Sequence, residues 1–253
     1  MSQVNESPII TVERRKAITI IVSAVIIALA LGVGLTQVGS GFATRAGNGI
    51  TVTGSAKTSA VADNAVWTLS VSLSSPTVGA AVKKVDSDVA ALSSYLTQGG
   101  IAADALTLGA VSTYANEEYV NGNSTGRILS YRASRDVTVR TKDVQLVSKL
   151  SQGIGSLLET GINVNNYGPQ YYISNLPELR PELMSEAMKD AKLRAESLTK
   201  AVGGSLGTLV NVKAGPIQIT TPDSTMTADY GAYDTSTINK TVSATVSVTF
   251  NTN

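Results

Sequence analysis

The chain of 253 residues contains no cysteine and no histidine. Without cysteine there is no disulfide scaffold and no thiol to carry a lipoprotein anchor. The absence of cysteine also suits an oxidising compartment. Without histidine the usual general base is missing, and with it Ser-His-Asp and Cys-His chemistry and most zinc sites. Charge is sparse and balanced, with 20 Lys and Arg against 19 Asp and Glu. No basic stripe runs through the sequence, which argues against a nucleic-acid partner. Nothing in it calls for a cofactor, and no small-molecule ligand is named by any motif.

What the chain does have is one long apolar run. Residues 17–35, AITIIVSAVIIALALGVGL, carry no charge and follow directly on Arg14, Arg15 and Lys16. As a helix the run reaches about 28 Å, close to one bilayer hydrocarbon core. The basic triplet is a topology signal that keeps the N-terminus on the cytoplasmic side. The expected organisation is a cytoplasmic tail (1–16), a transmembrane anchor (17–36), a Gly/Ser-rich linker (37–49) and an extracytoplasmic domain (50–253). A cleaved signal peptide is the alternative, with Gly41-Phe42-Ala43 as its site, but that tripeptide lies well beyond the apolar run. The expected location is therefore the inner membrane, single-pass, with the C-terminal domain in the periplasm.

The remaining 200 or so residues suffice for one domain with a proper core. Period-two alternation predicts strands at 50–56, 65–73, 105–114, 128–140, 162–174, 208–220 and 241–250. In 65–73, Ala65, Trp67, Leu69, Val71 and Leu73 share one face. Three amphipathic helices are expected. The first opens after Pro76 and runs to Gln98, with a stripe of Val78, Val82, Val85, Val89, Leu92 and Leu96. The second runs from Asp143, an N-cap, to Gly161, with Gly153 and Gly155 marking weakness or close packing. The third covers 178–202, with a narrow face of Leu183, Ala187, Ala191, Leu198 and Val202 and the ion pairs Asp190–Arg194 and Glu196–Lys200 on the other side. Glycine ends each helix, and in two cases isoleucine follows (Gly100-Ile101, Gly161-Ile162). The fold class is α+β, with about seven largely antiparallel strands and helices layered on them.

Two segments carry a family resemblance. ITVTGSAKTSAVADNAVWTLSVS opens like the SIMPL domain family, with its I-x-V-x-G start and a long strand after an Asp-containing turn. SEAMKDAKLRAESLTKAVGGSLGTLVNV resembles that family's helix running into Gly-x-x-Leu-Gly and a strand, and VSATVSVTF resembles its closing strand. One departure is Ala62-Asp63, where many relatives have Pro-Asp. The resemblance covers 50–251. It implies an exported envelope protein, ring-like or barrel-like homo-oligomers, and a link to oxidative-stress tolerance. It implies no catalytic residues.

Candidate sites are few. Glu117-Glu118 falls in an expected solvated loop, 115–127, whose turn signal is Asn121-Gly122. Asp223, Asp229 and Asp234 in the polar loop 221–240 could gather a calcium ion, but their spacing does not match a calcium loop. Tyr167, Tyr171, Tyr172, Tyr230 and Tyr233 are the candidate interface, since tyrosine joins apolar area to a polar tip. The expectation is a membrane-anchored, non-enzymatic homo-oligomer. The rivals are a binding module closed by the 221–240 loop, and a hydrolase using two facing carboxylates, for which no pair is evident.

Overall fold

The computed structural model describes residues 22, 25, 27–32 and 49–252. Residues 22, 25 and 27–32 are helical; Arg14, Arg15, Lys16, the linker and the rest of the apolar run lie outside the described residues. Among the described residues no helix is long and apolar enough to cross a membrane. The chain divides into two compact units. One takes residues 52–194 and 212–248; the other takes the described residues up to 51 with 195–211 and 249–252.

The larger unit is organised by β2 (Asn64–Ser75), whose alternation buries Ala65, Trp67, Leu69 and Val71 completely. On one side β2 pairs antiparallel with β5 (Asn123–Thr141), from Ala65 opposite Thr141 to Ser75 opposite Tyr131. On the other side lie β6 (Val164–Asn166) and β7 (Gln170–Tyr172). The far edge of β5 carries β3 (Leu106–Leu108) and β4 (Ser112–Val120), completing a six-stranded sheet.

Helix α1 (Val78–Gln98) packs across β2 and β5. Thr77 caps it, its hydroxyl accepting from the Ala80 N–H at 3.3 Å. The expected stripe is buried from Val85 to Leu96, while Val78 is exposed and Ala81 takes its place in the core. The second expected helix is two. Asp143 caps α2 (Val144–Gly153) through the Leu146 N–H at 2.9 Å, and α3 (Gly155–Glu159) follows a break at Ile154. A side chain at Gly153 would lie 2.8 Å from the Tyr95 hydroxyl, which itself donates to the Leu150 carbonyl.

Both Gly-Ile pairs end their helices the same way. Gly100 and Gly161 sit at φ +107° and +84°, and the N–H groups of Ile101 and Ile162 return to the carbonyls of Leu96 and Leu157. This is the Schellman arrangement, and it turns each isoleucine into the same hydrophobic core.

A second sheet has the order β1-β10-β8, with β9 on β10: β1 (Gly49–Val61), β8 (Leu206–Ala214), β9 (Gln218–Thr220) and β10 (Asn239–Thr252). In β10 the inward residues Val242, Ala244, Val246, Val248 and Phe250 are buried as expected. Within the larger unit, Val242 and Ala244 pack with Ile173, Ile219 and Leu183 of helix α4 (Leu176–Ala201). Helix α4 passes so close to β1 that a Cβ at Gly54 would lie 2.1 Å from the Ala187 carbonyl oxygen and 2.7 Å from the Ala191 Cβ. The glycine of the I-x-V-x-G start is thus a contact point between strand and helix, and the alanines opposite it keep the helix narrow there.

In the smaller unit the Thr51 and Thr249 hydroxyls meet at 2.9 Å, and Gly207 leaves room for the Asn251 backbone.

The count of ten strands in the described residues corrects the expected seven. The expected strands 105–114, 162–174 and 208–220 are each interrupted, at 109–111, 167–169 and 215–217, the last two at Pro169 and Pro216, which have no N–H to give a ladder. Two further corrections concern faces. On α4 the buried row continues through Ala195, four residues after Ala191, while Leu198 and Val202 are 52% and 84% exposed. And 115–127 is not a loop: β4 and β5 continue through it to a two-residue turn with Asn121 at φ 51° and Gly122 at φ 82°, the positive pair that a type I′ hairpin requires.

Candidate functional site

The acidic residues singled out from the sequence do not converge. Glu117 and Glu118 lie on β4, where neighbours point to opposite faces. Glu117 accepts from the Ser124 hydroxyl at 2.5 Å, and Glu118 pairs with Arg127 at 3.3 Å. They brace the hairpin rather than share a proton. Among the described residues no three acidic side chains come within reach of one metal ion.

Asp234 is committed to its own loop. Its carboxylate accepts from Ser236 Oγ and Thr237 Oγ1, both at 2.7 Å, and from Lys240 Nζ at 3.0 Å. Lys240 is buried from solvent and donates also to the Asp234 carbonyl at 2.6 Å. Burial acts to raise the Asp234 carboxyl; the hydrogen bonds outweigh it and hold the group well below the ordinary carboxylate range. Asp63, at the passage from β1 to β2, is lowered by the Ser174 hydroxyl and, at 2.8 Å, the Ser174 N–H, against a smaller opposing effect of burial.

The 221–240 loop is pinned at Ala228, Ala232 and Asp234. Gln218 donates from Nε2 to the Ala228 carbonyl at 2.7 Å and accepts at Oε1 from the N–H groups of Ala228 and Ala232. The Ile219 N–H bonds the Ala232 carbonyl, and the Asp234 N–H bonds the Ile219 carbonyl. One glutamine thus does for this loop what a strand partner does elsewhere. The signal was a lone amide in an apolar strand, Ile217-Gln218-Ile219.

The five tyrosines part company. Tyr171 is 5% exposed and belongs to the core, which removes it from the candidate interface. Tyr172 and Tyr233 meet with ring centres 5.9 Å apart and planes tilted by 44°, and the Tyr233 hydroxyl accepts from the Ile173 N–H. Tyr167 and Tyr230 stand 86% and 100% exposed.

Two surfaces were not singled out from sequence. The outer part of the β4–β5 hairpin exposes Tyr119, Val120, Ile128 and Leu129 and gives no residue to either core. The second is a groove of about 530 Å³ between β1 and α4, with Leu179 and Leu183 in its lining together with Lys57, Glu182 and Asp190.

Two sheets, amphipathic helices ending in glycine, and a narrow Gly54–Ala187 contact define an α+β domain. Residues 50–250 match the SIMPL family, described as proteins of unknown function (DUF541), and the chain belongs to that family. No curated protein matches it.

Proposed function

We propose that this chain is a membrane-anchored, extracytoplasmic SIMPL-domain protein of the bacterial cell envelope, acting as a homo-oligomeric structural or protective component rather than as an enzyme. An oxidative-stress role is part of the proposal and comes from the family resemblance. The observation that carries the membrane reading is the uncharged run behind Arg14-Arg15-Lys16. The helical residues Ile27, Leu29 and Leu31 within it are all more than half exposed, an arrangement suited to lipid.

Assembly is supported by the β4–β5 arm. A two-stranded ribbon with no layer on either face is marginal by itself. Its apolar side chains need cover; Arg127 matches the charge of Glu118, and Glu117 bonds the Ser124 hydroxyl within the hairpin. A second copy of the chain offers such an apolar surface. The absence of histidine and cysteine, and the engagement of Glu117, Glu118 and Asp234 in structural bonds, support the non-enzymatic reading. The pinning of the 221–240 loop by Gln218 disfavours a lid.

The anchor is tested in bacterial membranes. The protein is expected to stay with the membrane through alkaline carbonate extraction, and protease added to spheroplasts is expected to digest the domain. Release by carbonate, or a domain protected until the membrane is broken, contradicts the reading.

A further inference from the structure

Among the described residues, strand β1 is the outermost of its sheet, with β10 on one side and no strand on the other. Along a strand the N–H and C=O of one residue point to the same side, and successive residues alternate. The Ser55 N–H does not enter the ladder; it donates to Asp190 Oδ2 of α4 at 2.8 Å. That single bond sets the phase of the strand. Lys57 and Ser59 share the side of Ser55, so their N–H and C=O groups face away from β10. Among the described residues no loop or helix backbone meets those two N–H groups. The Ser59 carbonyl has only a 3.5 Å contact from the hydroxyl of its neighbour Thr58.

This open edge runs along the groove of about 530 Å³. Four consecutive residues of β1, Ser55 to Thr58, form one wall, and α4 forms the other, with Leu179 and Leu183 as apolar lining. Most charges here are already matched: Lys189 with Glu186 at 2.6 Å, and Asp190 with Arg194 at 2.9 Å. Lys57 and Glu182, on opposite walls, have no ion-pair partner among the described residues.

A row of alternating donors and acceptors is complemented by another extended backbone, which adds as a further strand. A second copy of β1 fits poorly. Antiparallel pairing about Thr58 sets Lys57 on the same face as Lys57 of the copy, where like charges repel. We infer that the β1 edge and its groove take an extended peptide of another protein, one that brings an acidic side chain to Lys57 and a basic side chain to Glu182. This goes beyond the envelope reading and does not depend on it.

The test uses full-length protein in mild detergent and fluorescein-labelled decapeptides of alternating valine and threonine. Each carries one glutamate and one lysine at a different spacing. Fluorescence anisotropy is expected to saturate for at least one spacing. Lys57→Glu and Glu182→Lys are each expected to weaken that peptide about ten-fold or more. Lys57→Pro is expected to abolish binding without lowering the melting temperature, because it removes a donor the sheet does not use. Thr58→Pro, whose N–H faces β10, is expected to lower the melting temperature and so checks the phase. Three results overturn the inference: no peptide saturates, Lys57→Pro binds as the wild type does, or Lys57→Pro changes the mass of the protein's own assembly, which makes this a contact between copies.

Discussion

Strand β2 and the outer half of the β4–β5 hairpin are built with the same ladder of backbone hydrogen bonds and differ in what lies on their faces. In β2, every second residue from Ala65 to Val71 is sealed from water. In the hairpin, residues 119–129 are all exposed. A ladder fixes backbone geometry at modest net free energy, whereas about 25 cal/mol comes from each Å² of apolar area buried. β2 therefore holds the domain together, and the hairpin is held by it. The hairpin adds exposed Tyr119, Val120, Ile128 and Leu129 without adding core, which is why it is the surface proposed for assembly.

Substitutions can break this contrast, and the largest effect belongs to the glycine contact in the second sheet. Gly54→Val places a branched side chain where a Cβ already lies 2.1 Å from backbone. No folded protein is expected, measured as loss of soluble expression and of a cooperative melt. Next comes Trp67→Ala, which empties the middle of β2 and leaves Asn166 Oδ1 without the indole N–H that donates to it at 2.8 Å. It is expected to cost about 3–5 kcal/mol in urea denaturation followed by circular dichroism.

Acid acts on the connections of the larger unit. Asp63 and Asp234 both have folded pKa values below their unfolded ones. In that case the unfolded state binds more protons, so the stabilisation is full above the unfolded value of about 4 and is lost as pH falls from there through the folded values. Urea midpoints are expected to hold from neutral pH down to about 5 and then to drop. Asp234→Asn is expected to flatten that drop while lowering stability at neutral pH; an unchanged profile contradicts the assignment. The smallest effect is on the arm. Ile128→Ser with Leu129→Ser is expected to change the domain's stability by less than about 0.5 kcal/mol. A loss comparable to that of Trp67→Ala erases the contrast.

The same difference explains what could be read from the sequence. β2, α1 and β10 were legible because one face is buried and the other wet, so hydrophobicity carries the period of the element. The Gly-Ile helix ends were legible because a left-handed residue there favours glycine. The outer part of the hairpin, 115–127, left only its Asn121-Gly122 turn as a trace, because neither face is buried there. The buried row of α4 does not follow its large side chains, and Leu198 is exposed. The close contact with Gly54 selects alanine at 187 and 191, and the buried +4 row continues to Ala195.

The site was less legible than the fold. Exposure divides the five tyrosines, and no local pattern distinguishes Tyr171 from Tyr172 beside it. The β1 groove depends on residues more than 120 positions apart, Lys57 and Glu182, and on the direction of one N–H at Ser55.

The proposed assembly through the arm is tested most directly by the mass of the full-length protein in mild detergent, measured by light scattering with chromatography. The wild type is expected to run as a discrete multimer, and the Ile128→Ser, Leu129→Ser variant as a smaller species with its melting temperature kept. A monomeric wild type, or a variant whose multimer is intact, contradicts it.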